Sequence, residues 1–126
     1  MENESYIGVS YHPRDRFYLP RVKYKGKYYW LKAWPTAYQA AQVRDVAARW
    51  MMGSRTILNN FPTVDLPEGV TEAHIARWLL EAGIPLRLLA YRIPAPVLIE
   101  AGVTAYELLQ AGVTARILLQ FATNPS

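Results

Sequence analysis

One short phrase recurs in the last third of the chain and limits what that part can fold into. Glu81-Ala82-Gly83-Ile84-Pro85, Glu100-Ala101-Gly102-Val103-Thr104 and Gln110-Ala111-Gly112-Val113-Thr114 share it, with leucine pairs between them at Leu79-Leu80, Leu88-Leu89, Leu108-Leu109 and Leu118-Leu119. Tyr91-Arg92-Ile93-Pro94 fills a degenerate slot, so Ile84, Ile93, Val103 and Val113 follow at intervals of nine, ten and ten. Ala-Gly closes a helix, and the Thr or Pro just beyond opens the next. The spacing predicts helices of about two turns, after a longer first one that Thr71 opens and that runs through Ile75, Trp78, Leu79 and Ala82. Helices this short are unstable alone and must bury their leucines against neighbours.

The chain before the repeats has a different composition. Residues 1–62 carry ten Lys/Arg and four Asp/Glu, a net +6, whereas residues 63–126 carry four and six, a net −2. Nine of the sixteen aromatic residues lie between Tyr6 and Trp34. The change falls at Phe61-Pro62-Thr63-Val64-Asp65-Leu66-Pro67-Glu68-Gly69, which divides the chain into 1–63 and 64–126. At 126 residues neither part is large enough for an independent core of ordinary stability, so the two are expected to lean on each other.

The first part reads as three strands and a helix. Tyr6–Tyr11 is rich in aromatic and β-branched residues and stops at Pro13. In 17–24, Leu19, Arg21 and Lys23 alternate with Tyr18, Val22 and Tyr24; Pro20 interrupts and predicts a bulge. Lys25-Gly26 is a two-residue hairpin loop. The third strand, 27–32, places Tyr28, Trp30 and Lys32 on one face and Tyr29 and Leu31 on the other. Thr36-Ala37-Tyr38-Gln39 is a capping box, the alanines up to Ala48 recur at helical spacing, and Gly53 is the stop. The fold class is therefore α+β: a three-stranded antiparallel sheet packed on one helix, followed by an all-α module of short repeats.

Several functions are excluded by what the chain lacks. It has no cysteine, so disulfides, thiol nucleophiles and cysteine-held metals are ruled out. His12 and His74 are too far apart in sequence to form a His-rich metal site, and there is no phosphate-binding Gly-Lys-Ser/Thr loop or nucleophile elbow. The expectation is a non-enzymatic protein without cofactor or small-molecule substrate. The acidic start and the lack of an apolar run of about 20 residues predict an intracellular, cytoplasmic protein with no membrane partner.

The ordered set Tyr6-Ile7-Gly8-Val9-Ser10-Tyr11-His12, Gly26-Lys27, Trp30-Leu31, Trp34-Pro35-Thr36, Gln39-Ala40-Ala41, Asp45, Ala47-Ala48 and Asn60-Phe61-Pro62 resembles the Apetala-two/ethylene-response-factor DNA-binding domain, in its shorter bacterial and phage form. The resemblance covers residues 6–62 with few or no gaps. It implies a sheet that enters the major groove of duplex DNA. The DNA-facing positions it implies are Ser10 and His12 on the first strand, Arg14 in the following turn, Arg21 and Lys23 on the second, and Tyr28 and Trp30 on the third. The basic hairpin tip adds Lys25, and the alternation adds Lys32. The chain departs from the family at Ile7, Ser10 and Tyr28, where arginines are usual, at Lys32, where glycine is usual, and at Arg44, where tyrosine is.

Two functions follow. The first is a DNA-binding regulator or accessory factor of a phage or mobile element, using the basic aromatic sheet. The second, favoured by the lost arginines, is a protein-binding module such as a phage-encoded inhibitor of a host factor. For the repeats, three roles stand open: packing on the first part, homodimerisation, or holding a protein partner, with Leu108, Leu109, Leu118 and Leu119 as candidate contacts.

Overall fold

The structure, a computed structural model, describes residues 6–53 and 66–114. The inter-module segment up to Asp65 and the repeat leucines Leu118 and Leu119 lie outside the described residues. Three strands, β1 (Val9–His12), β2 (Phe17–Tyr24) and β3 (Lys27–Trp30), form an antiparallel sheet in the order β1-β2-β3. Helix α1 (Ala37–Met52) follows, then α2 (Glu72–Glu81), α3 (Leu86–Arg92), α4 (Ala95–Glu100) and α5 (Ala105–Gln110). The fold is α+β, and no helix among the described residues is long and apolar enough to cross a membrane.

The β2–β3 hairpin turns on Lys25 (φ 52°) and Gly26 (φ 78°), the two left-handed residues that suit a tight two-residue loop. β1 starts at Val9 rather than Tyr6, because Tyr6-Ile7-Gly8 turns back on itself, with Val9 N–H donating to the Tyr6 carbonyl. Gly8 (φ 75°) lies against the side chain of Arg44 on α1, and a Cβ there would collide with it.

Pro20 has its effect on the opposite strand. Its register with β1 and that of Arg21 with β3 are both regular, Val9 facing Pro20 and Arg21 facing Trp30. Leu31 N–H donates to the Pro20 carbonyl at 2.9 Å, and Pro20 has no N–H to return the bond. Two residues back along β2, Tyr18 exchanges both bonds with Trp34, at 2.7 and 2.8 Å. Three steps from Leu31 to Trp34 therefore face two from Pro20 to Tyr18, so the extra residue is in the continuation of β3. A one-residue slip exchanges the faces of a strand. Trp34 is thus directed with Tyr18 onto the core side, where it is buried.

Helix α1 is capped by Thr36, whose hydroxyl accepts from Gln39 N–H at 3.2 Å and donates to Gln39 Oε1 at 2.9 Å. Gly53 closes it, donating to the Arg49 carbonyl. Residues 40–48 are all buried, because α1 packs on β1 and β2 and also on α2 and α3. The alanines, with little side chain to keep neighbours away, allow close approach on more than one side. Arg44 and Asp45 are buried with them as an ion pair of 3.1 Å.

The repeats close as their glycines predict. At α2, Ile84 N–H donates to the Leu79 carbonyl and Gly83 N–H to Leu80, the two bonds of a Schellman cap. The same pair recurs from Val103 and Gly102 to Leu98 and Ile99, and from Val113 and Gly112 to Leu108 and Leu109. The three glycines hold φ near +105° (106°, 104° and 103°), where a side chain is strained. In the degenerate slot, Ile93 N–H reaches only the Leu89 carbonyl and Pro94 stops the helix. Leu79, Leu89, Leu98 and Leu108 are completely buried, and they belong to the same apolar cluster as Val22, Leu31, Trp34 and Val43. Helices pack one apart, α2 on α4 and α3 on α5.

Candidate nucleic-acid interface

The alternation of β2 sends Pro20 and Val22 into the core and leaves Arg21 and Lys23 on the opposite side of the sheet. Trp30 stands directly across from Arg21, and Tyr28 from Lys23. Both rings remain nearly half exposed, 45% for Trp30 and 47% for Tyr28. Arg21 Cζ lies 5.2 Å from the Tyr28 ring centre and 5.8 Å from that of Trp30. Its Nη1 donates to Ser10 Oγ on β1 at 2.6 Å. Lys23 Nζ lies 5.3 Å from the Tyr28 ring. Cations above aromatic faces are attracted by the ring quadrupole, and the arrangement keeps the charge on the surface while restricting its motion.

His12 completes the face. Its ring stacks obliquely on Phe17, 5.1 Å away, and meets Trp30 edge-on at 6.5 Å, above the central strand. Ser10, His12, Arg21, Lys23, Tyr28 and Trp30 are therefore brought together across three strands. Among the described residues no carboxylate shares this face. Asp15 is in the β1–β2 turn and Asp45 is buried on α1 with Arg44.

Three other candidates are placed elsewhere. Lys32 leaves the sheet with the slip after Leu31, and its Nζ lies 5.4 Å from the Trp34 ring and 5.7 Å from the Trp78 ring. It belongs to the junction with α2, and strict alternation assigned it to the wrong group. Lys25, at the hairpin tip, sets its Nζ 5.5 Å from Tyr24, a residue of the core side. Arg14 is exposed in the β1–β2 turn, and no ion pair joins it to Asp15 among the described residues. Phe17 is the member that sequence reasoning missed. The period-two count through Leu19, Arg21 and Lys23 reaches it when extended backwards by one more step.

In the repeats, Leu108 is completely buried and cannot meet a partner, which corrects its assignment as a contact. Leu109 is 45% exposed, and among the described residues of the module Tyr91 and Tyr106 are the most exposed rings. Comparison with family models, with curated proteins and with solved structures returns no match to this chain.

Proposed function

We propose that the protein is a non-enzymatic binder of duplex DNA that uses the outer face of the sheet. The observation that carries this reading is the Arg21 guanidinium held against Tyr28 and Trp30 on an outer face where, among the described residues, no carboxylate lies. Stability alone gives little reason to leave two large rings and two cations together in water. Phosphate neutralisation supplies a reason, since each cation that meets a phosphate releases condensed counterions. A three-stranded sheet also has the width to enter a major groove, where base edges can be read. The resemblance to Apetala-type domains points to the same face. An accessory or regulatory role for a phage or mobile element fits a sheet unit of this size with a helical unit packed onto the same core.

Among the described residues, α2 and α3 pack against α1, the helix behind the sheet. Charge reversal tests the assignment. Lys23→Glu is expected to weaken binding of a mixed-sequence duplex by at least about tenfold at low salt, and Leu109→Glu to leave it unchanged. Equal affinity for Lys23→Glu and wild type, measured by fluorescence anisotropy, contradicts the proposal.

A further inference from the structure

We propose that Ser10 is a positioning residue that makes Arg21 a base-reading fork, so that the sheet discriminates among duplex sequences at a guanine rather than binding phosphate alone. This inference rests on the duplex-DNA reading above. A guanidinium has five N–H donors in one plane. Ser10 Oγ takes one of them at Nη1, and no other acceptor among the described residues meets the group. The hydroxyl therefore fixes the direction of the fork and leaves its remaining edge unused. The guanidinium also rests against the rings of Tyr28 and Trp30, which narrows the positions the side chain can take before any ligand arrives. Lys23 is different: an exposed point charge against one ring, free to follow a phosphate.

Position separates the two roles as well. Arg21 is on the middle strand, opposite Trp30 on β3, and its own N–H donates to the carbonyl of Gly8 on the other side. In a groove entered by the sheet, the centre of the face is nearest the base edges and its margins are nearest the phosphates. Guanine presents O6 and N7 as adjacent acceptors, which match an arginine fork in two bonds. Ser10 is small enough to leave that approach open and polar enough to hold the fork in place.

The test begins with selection of duplexes from a randomised library by the full-length wild-type chain. Wild type, Ser10→Ala, Ser10→Thr and Arg21→Lys are then titrated against the enriched duplex and a mixed-sequence duplex. Wild type is expected to favour an enriched, guanine-containing duplex by about tenfold or more. Ser10→Ala should narrow that ratio several-fold, losing more affinity for the enriched duplex than for the mixed-sequence one, because base reading depends on the fork and phosphate attraction does not. Ser10→Thr should restore the ratio and Arg21→Lys should abolish it. Arginine side-chain NMR of the free proteins reports the geometry without DNA. Separate Arg21 Nη signals are expected in wild type and Ser10→Thr, and averaged signals in Ser10→Ala. Unchanged discrimination in Ser10→Ala, or binding by wild type without sequence preference, overturns the role of Ser10 and leaves the DNA reading standing. No duplex binding by wild type overturns both, even where the NMR shows Arg21 fixed.

Discussion

Arg21 and Arg44 show two uses of the same side chain within one small unit. Arg21 is kept at the surface by rings and a hydroxyl, ready to meet an acceptor. Arg44 is buried against Gly8 and paired with Asp45, where its charge serves the fold. Breaking a buried ion pair is costly, so Asp45→Ala is expected to destabilise the fold by about 3 kcal/mol in chemical denaturation. Gly8→Ala must fit a side chain at φ 75° into space that Arg44 occupies, and about 1–3 kcal/mol of destabilisation is expected by the same assay. At the face, Trp30→Ala should weaken duplex binding without a comparable loss of stability, since the ring is nearly half exposed. The residues of the outer face were legible in the sequence where alternation holds, as for Arg21, Lys23, Tyr28 and Trp30. Lys32 was not, because its direction depends on a bond that Pro20 on another strand cannot return. Neither was the core role of Arg44, which depends on how closely Gly8 approaches α1.

The elements differ in how locally they are specified. The hairpin and the helix stops arise from φ > 0 residues and caps within a few positions, and the sequence shows them directly. The burial of α1 on several sides is non-local, and its alanines look the same whether one face or all of them is covered. Among the repeats, Thr104 opens α5 with a reciprocal cap: its hydroxyl accepts from Glu107 N–H, and its own N–H and hydroxyl donate to Glu107 Oε1 at 2.8 and 3.1 Å. The Thr104 backbone N–H first, then its hydroxyl, and the Arg77 charge more weakly, hold the Glu107 carboxyl below its ordinary value. A carboxylate with a lowered folded pKa stabilises the fold above its unfolded pKa, and that contribution is lost as pH falls through the folded value. Glu107→Gln keeps an acceptor but does not titrate. Melting near neutral pH should therefore change little, while the decline of Tm at acid pH becomes shallower than in wild type.

At the scale of the whole molecule the sheet unit and the repeats share one core. Trp34 meets Trp78 of α2 edge-on at 5.9 Å, and Lys32 lies over both rings. Arg92 at the end of α3 donates to the carbonyls of Trp50 and Met51 at 3.4 and 3.2 Å, placing a cation at the negative end of α1. Unfolding is expected to be a single transition, with tryptophan fluorescence and far-UV circular dichroism coincident; two separated transitions would contradict this coupling. Among the described residues the same packing sets α2 and α3 against α1, and Arg21 and Lys23 lie on the other side of the sheet, so the net charge of +4 understates the local charge there. The most direct measurement is the affinity of the full-length protein for a mixed-sequence duplex across a series of salt concentrations. Log K is expected to fall linearly with log salt, with a slope of about −2 to −4 for a few phosphate contacts, and Trp30→Ala and Arg21→Ala to lower affinity throughout. Absence of binding at low salt, or an affinity indifferent to salt, would contradict the proposed DNA binding.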